Sequence, residues 1–130
     1  MAKIPIVQIG GTLIATLQED LGDEDALEFQ TLLNATLERT GAAGVLIDVT
    51  LVEMVDSFLG RLLNEIATGA RLLGAQTVVA GMQPAVAITL VELGLTLRGV
   101  KTALNAERGL HLLNGRTHNR QSGTRRHNGS

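Results

Sequence analysis

The chain opens on a loose alternation of apolar and polar positions. "IPIVQI" and "TLIATL", on either side of Gly10-Gly11, have the pattern of two strands joined by a tight turn. From Asp23 the period lengthens. Ala26, Leu27, Phe29, Leu32, Leu33 and Leu37 recur at helical spacing, with acidic residues in the first turn, Arg39 in the last and Gly41 just past the end. A helix over roughly residues 24 to 40 follows. "GVLIDV" is a short β-branched run between turn residues, as a buried central strand requires. Leu59, Leu62, Leu63, Ile66, Ala70 and Leu73 then share one helical face, with Gly74 as the stop. "QTVVAG" is another strand, and Pro84 opens a helix whose inner face is Val86, Leu90 and Leu93 before Gly94 ends it. "VKTAL" is the weakest strand candidate, and Asn105 is placed to cap a last helix ending near Asn114.

Strands alternating with helices predict an α/β domain, with a mixed β-sheet flanked by helices, its later strands parallel and its opening pair making it mixed. A chain of 130 residues is one domain by default and buries about two-thirds of the surface its unfolded form exposes. That domain is expected over residues 1–114. The remainder, "GRTHNRQSGTRRHNGS", is polar and Gly-rich and is expected to be a disordered basic tail.

Charge sharpens this division. The net charge is −2, but Arg116, Arg120, Arg125 and Arg126 all lie in the tail, so residues 1–114 hold 7 basic and 13 acidic groups. An acidic body argues against nucleic acid as a partner, because phosphate binding needs a basic face. Aromatics amount to 2%, namely Phe29 and Phe58, which leaves no platform for stacking bases or sugars. The absence of cysteine removes disulfides, thiolate nucleophiles and zinc ribbons, and fits a reducing compartment such as the cytoplasm. The longest apolar stretch, "VVAGMQPAVAITLVELGLTL", is broken by Gln83, Pro84 and Glu92, so no membrane span is expected. Pro5, Gln8 and Gly10-Gly11 likewise interrupt the apolar run that a signal peptide needs.

Enzymatic chemistry is thinly supplied. Neither GxGxxG nor GxxxxGK occurs, and His111, His118 and His127 form no metal-ligand spacing with acidic residues. No cofactor or metal is expected. Ser57 follows a strand and starts a helix, as a nucleophile would, yet Val55 stands where the nucleophile elbow GxSxG has its first glycine. A lone His111 on a predicted helix is a packing or surface residue more often than a general base, so the chain is read as a non-enzyme, with a serine nucleophile as the minority reading.

Attention therefore falls on "VEMVDSFLGRLL", residues 52 to 63, where an Asp-Ser pair stands between two apolar segments. If the helix begins at Asp56 or Ser57, Ser57 shares a face with Arg61, Asn64 and Thr68, opposite the leucines, and faces solvent. Both residues are good N-caps, and spacing alone favours a cap, worth about 1 kcal/mol. The same geometry also suits a phosphate, because a helix N-terminus favours an anion and Arg61 lies one turn along. A phosphoserine would add about −1.5 to −2 charges beside Glu53 and Asp56 and repel a docked partner without unfolding the domain. Asp48, inside "VLIDV", is expected to be structural and satisfied near the strand end.

"GVLIDVTLVEMVDSFLGRLL" followed by "GAQTVVAGMQPAVAITLVELGL" resembles the STAS domains of bacterial anti-sigma-factor antagonists, and within them the stressosome branch. The resemblance covers about residues 3 to 113. It implies a single STAS domain and a non-enzymatic scaffold that assembles with RsbR-like STAS paralogues, as a homodimer or higher oligomer, and holds an RsbT-like serine kinase. In the family the hydroxyl residue after the Asp is phosphorylated by that kinase. Here it is Ser57, the only hydroxyl in the turn, since Phe58 and Leu59 follow where many simple antagonists have a second serine and a glycine. The implied kinase surface is Glu53, Asp56, Phe58 and Arg61, with Phe58 either a buried anchor or a contact residue. RsbR-type proteins add an N-terminal sensor domain, for which this chain is expected to have no room, and a second phosphorylated threonine matched by Thr89. Thr89 shares a helix face with Ala85 and Glu92 and is expected to be accessible, and its simpler account is a hydroxyl bonded back to a preceding carbonyl or facing water. The rival binding role is a stand-alone antagonist of a kinase-type anti-sigma factor.

Overall fold

A computed structural model of the chain describes residues 4–18, 21–54, 56–95 and 97–114. Five strands lie side by side in sequence order: β1 (Ile6–Ile9), β2 (Thr12–Thr16), β3 (Gly44–Asp48), β4 (Gln76–Ala80) and β5 (Val100–Ala103). β1 and β2 are antiparallel, joined by Gly10-Gly11 with a positive φ at the first glycine alone, the sign pattern of a type II′ hairpin. Every later pair is parallel, which makes the sheet mixed. Helices α1 (Asp23–Thr40), α2 (Ser57–Leu72) and α3 (Pro84–Glu92) form the crossovers, and α4 spans 106–114.

Strand alternation sorts the core into two faces. Leu13, Ala15 and Leu17, then Val45, Ile47 and Val49, then Val79 point to one side and meet Phe29, Leu33 and Leu37 of α1 and Leu59, Leu62, Leu63 and Ile66 of α2. Leu46, Val78 and Ala80 point to the other and meet Leu110 and Leu113 of α4. Right-handed crossovers that always step one strand onward put successive helices on the same face, so the opposite face is left for the chain beyond β5. There α4 is capped by Asn105, whose Oδ1 accepts the Arg108 N–H at 2.9 Å. It packs so closely that a Cβ at Gly109 would collide with Leu46.

The helix ends follow their signals. The acidic first turn of α1 starts after Gly22, whose N–H donates to Asp25 Oδ2 at 3.3 Å, and the helix stops at Gly41 with φ 67 and its N–H on the Leu37 carbonyl at 2.8 Å. Four leucines read as inward-facing are exposed instead. In α1 the buried stripe is Ala26, Phe29, Leu33, Thr36 and Leu37, which rotates Leu27 and Leu32 to its flanks. Leu73 and Leu93 are C-cap residues just past α2 and α3, where the helical period has already lapsed. No helix among the described residues is long and apolar enough to cross a membrane. The tail at 115–130, with His118 and His127, lies outside the described residues.

Candidate functional site

The β3–α2 and β4–α3 connections leave the sheet at the same end, because parallel strands all finish there. β3 ends at Asp48, half-buried, whose Oδ1 accepts both the N–H of Thr50 at 2.9 Å and its hydroxyl at 2.6 Å. The expectation of a structural aspartate is met, and the reason is local: the carboxylate closes the turn that follows the strand. The Thr50 carbonyl accepts Gln83 Nε2 at 3.0 Å, which ties the β3–α2 loop to the residue that precedes α3. Gly81 makes room for this join, since its φ is 77 and a Cβ there would run into Thr50. Val52 is buried and pins the loop, leaving Leu51, Glu53 and Met54 in solvent.

At the head of α2 the two candidate caps take different parts. Asp56 has extended backbone, and its Oδ1 accepts the Leu59 N–H at 3.2 Å. Asp56 is thus the N-cap, and Ser57 is the first helical residue. Ser57 is exposed, and among the described residues its hydroxyl makes no hydrogen bond. The cap is already satisfied by its neighbour, so a capping role does not explain the serine. Arg61 and Thr68 are exposed on the same face, and Asn64, half-buried, uses its Oδ1 to accept the Arg98 N–H at 3.3 Å. Phe58 is half-buried against the main core and lines a small cleft of about 270 Å³ with Val52, Met54 and Asp56. It is both an anchor and a surface residue.

Thr89 presents the opposite case. It is half-buried in α3, and its Oγ1 donates to the Ala85 carbonyl at 2.9 Å, the back-bonding arrangement expected of a threonine within a helix. His111 belongs to α4, across the sheet from α2, so the structure does not bring it to Ser57 as a base. Among the described residues no group of three or more His, Asp or Glu side chains could hold a metal ion.

Two apolar features escaped the sequence reading. Leu51 and Met54 are 54% and 80% exposed in the loop beside Ser57. A groove of about 320 Å³ between Met82, Ala87, Leu90, Val91, Leu95 and Leu97 also adjoins the first turns of α2, where a Cβ at Gly60 would stand only 2.5 Å from Leu95 Cδ1. The clue to the first was an apolar run, "LVEMV", that fits neither strand nor helix period. The clue to the second was a helix with apolar residues all round and a single charge, Glu92.

This geometry can be set against known proteins. RsbS from Moorella thermoacetica, solved as a serine-to-glutamate variant, is 38% identical, with a TM-score of 0.80 over 90% of this chain and 99% of that one. A chain from a structure describing the molecular architecture of the stressosome is 40% identical, with a TM-score of 0.78 over 87% of this chain and 98% of that one. The RsbT co-antagonist protein RsbRD of Bacillus subtilis (strain 168) is 29% identical over 93 residues, or 69% of this chain and 34% of that protein. The chain therefore spans about a third of the length of that relative and nearly all of the two solved chains. The STAS domain model matches residues 3–106, from ahead of β1 to the start of α4, and on that match the chain belongs to the STAS-domain family.

Proposed function

We propose that this chain is a non-enzymatic scaffold of a stressosome, which sequesters an RsbT-like serine kinase and releases it when Ser57 is phosphorylated. The single observation that carries the reading is the uncommitted Ser57 hydroxyl, exposed at the first position of α2 while Asp56 performs the capping. A phosphate at that position lies over free first-turn N–H groups and the positive end of the helix dipole, so the domain beneath has no reason to unfold. Its charge falls beside Glu53 and Asp56, among the apolar side chains of Leu51, Met54 and Phe58 that a docked protein would cover. Likeness to RsbS and to a stressosome chain along nearly their whole lengths supports the assembly side of the reading. So does likeness to RsbRD, which is named for co-antagonism of RsbT.

The test is titration calorimetry of the purified kinase against the wild-type chain and the Ser57→Asp variant. A like-charge and desolvation penalty of about 2 to 3 kcal/mol corresponds to a loss of affinity of roughly 30- to 150-fold. Far-UV circular dichroism should stay native, and Ser57→Ala should retain the kinase. Equal affinity of the wild-type and Ser57→Asp chains would refute the release mechanism. A megadalton particle in light scattering with an RsbR-like partner is the outcome expected of a scaffold, and a small one-to-one complex with a kinase-type anti-sigma factor would favour the stand-alone antagonist instead.

A further inference from the structure

The end of the sheet opposite Ser57, where the parallel strands begin, holds a further cavity. It measures about 340 Å³ and lies between the last turn of α2 and the starts of β4 and β5, with Arg71, Gly74 and Gly99 exposed around it and Ala67, Ala75 and Thr77 buried beneath. Thr77 is 2% exposed, and strand alternation puts its side chain on the α2 face with Val79. Its Oγ1 is buried without a hydrogen-bond partner, the one side-chain polar atom in that state among the described residues. A buried hydroxyl so placed is costly until something completes it.

Arg71 stands over the same space. Its guanidinium lies so near Gly99 that a Cβ there would collide with it. An arginine in the last turn of a helix ordinarily answers the negative end of the dipole. Here the carbonyls of Gly69, Ala70 and Arg71 already accept the N–H groups of Leu73, Gly74 and Ala75, so that end is largely satisfied without it. Neither Asp nor Glu lines the cavity, and among the described residues Arg71 makes no ion pair.

We propose that this cavity binds a small oxyanion, a phosphate or carboxylate group, held between the Arg71 guanidinium and the Thr77 hydroxyl. The guanidinium has donors only, and its fork matches the paired oxygens of either group. The Thr77 hydroxyl donates to one of the same oxygens, which completes the buried group. A cation would be repelled by Arg71, and an apolar ligand would leave both polar groups unanswered. The site lies at the far end of α2 from Ser57 and does not depend on the release mechanism proposed above.

Proton–nitrogen correlation spectra of the full chain, titrated with sodium phosphate and separately with sodium acetate, should show saturable movement of the amides of Ala75, Thr77 and Gly99 in at least one series, with a dissociation constant of about 1 mM or below. Sodium chloride at matched ionic strength should not reproduce it. Saturation in either series supports the site, and the series that saturates names the oxyanion. Arg71→Gln should weaken binding about tenfold or more, and Thr77→Val, which keeps the side chain's volume, about threefold or more, both with native circular dichroism. Thr77→Ser, which keeps the hydroxyl, should bind as the wild type does. Shifts no larger than those in chloride, binding indifferent to Arg71→Gln, or Thr77→Val binding as tightly as the wild type would each overturn the proposal.

Discussion

Ser57 and Thr89 are both hydroxyl residues in helices at the same end of the sheet, and their surroundings assign them opposite prospects. Ser57 stands where backbone N–H groups are free, is exposed, and has had its capping duty taken by Asp56. Thr89 is the sixth residue of the nine-residue α3, its hydroxyl already spent on the Ala85 carbonyl and Glu92 less than one turn ahead. A dianion at the first position meets the positive end of a dipole, and at the second it approaches the negative end and a like charge. Exposure already favours Ser57 over the half-buried Thr89; the local field and the existing hydrogen bond separate them further.

The comparison can be broken by substitution. Thr89→Asp carries the largest expected cost to stability, about 1 to 2 kcal/mol, because a poor helix former and a negative charge are placed near a C-terminus beside Glu92. Urea denaturation should show a lower midpoint with an unchanged slope, and an unchanged midpoint would mean that α3 accepts a negative charge at position 89 as readily as α2 does at its head. Asp56→Ala should cost about 1 kcal/mol by leaving the Leu59 N–H without its acceptor. Adding Ser57→Ala to that variant should cost nothing more; a further loss would mean that the serine shares the capping. Smallest of all, Ser57→Asp should move stability by only a few tenths of a kcal/mol, in the stabilising direction at low salt. Destabilisation by that variant would show that a negative charge at the head of α2 is not tolerated.

Much of the fold was legible because several local signals agreed at each element. The acidic start of α1 and its Gly41 stop, the β-branched β3 and the Pro84 opening of α3 all appear where the chain announces them. What misled was apolarity taken without phase. Leu27 and Leu32 lie on the margins of a stripe whose centre is set by Phe29 and Leu33, and only contact with β2 and β3 fixes that centre. The Asp-Ser ambiguity has a similar origin. Two good caps in succession cannot be ranked by propensity. The choice is made by the helix register that buries Leu59, Leu62 and Leu63, which puts the Leu59 N–H within reach of the residue three before it. Leu51 and Met54 were invisible for another reason: a loop has no period against which an exposed apolar residue looks out of place.

Strand order has a consequence for what this end of the molecule can recognise. Nucleotide-binding α/β sheets open a crevice where successive crossovers depart in opposite directions, and their ligands settle there. Here β2 through β5 advance without reversal, so neighbouring connections stay side by side, joined by Gln83 and Thr50. What results is a row of adjoining loops with small open hollows beside Phe58 and Leu90 in place of one deep crevice, a surface that another macromolecule can cover.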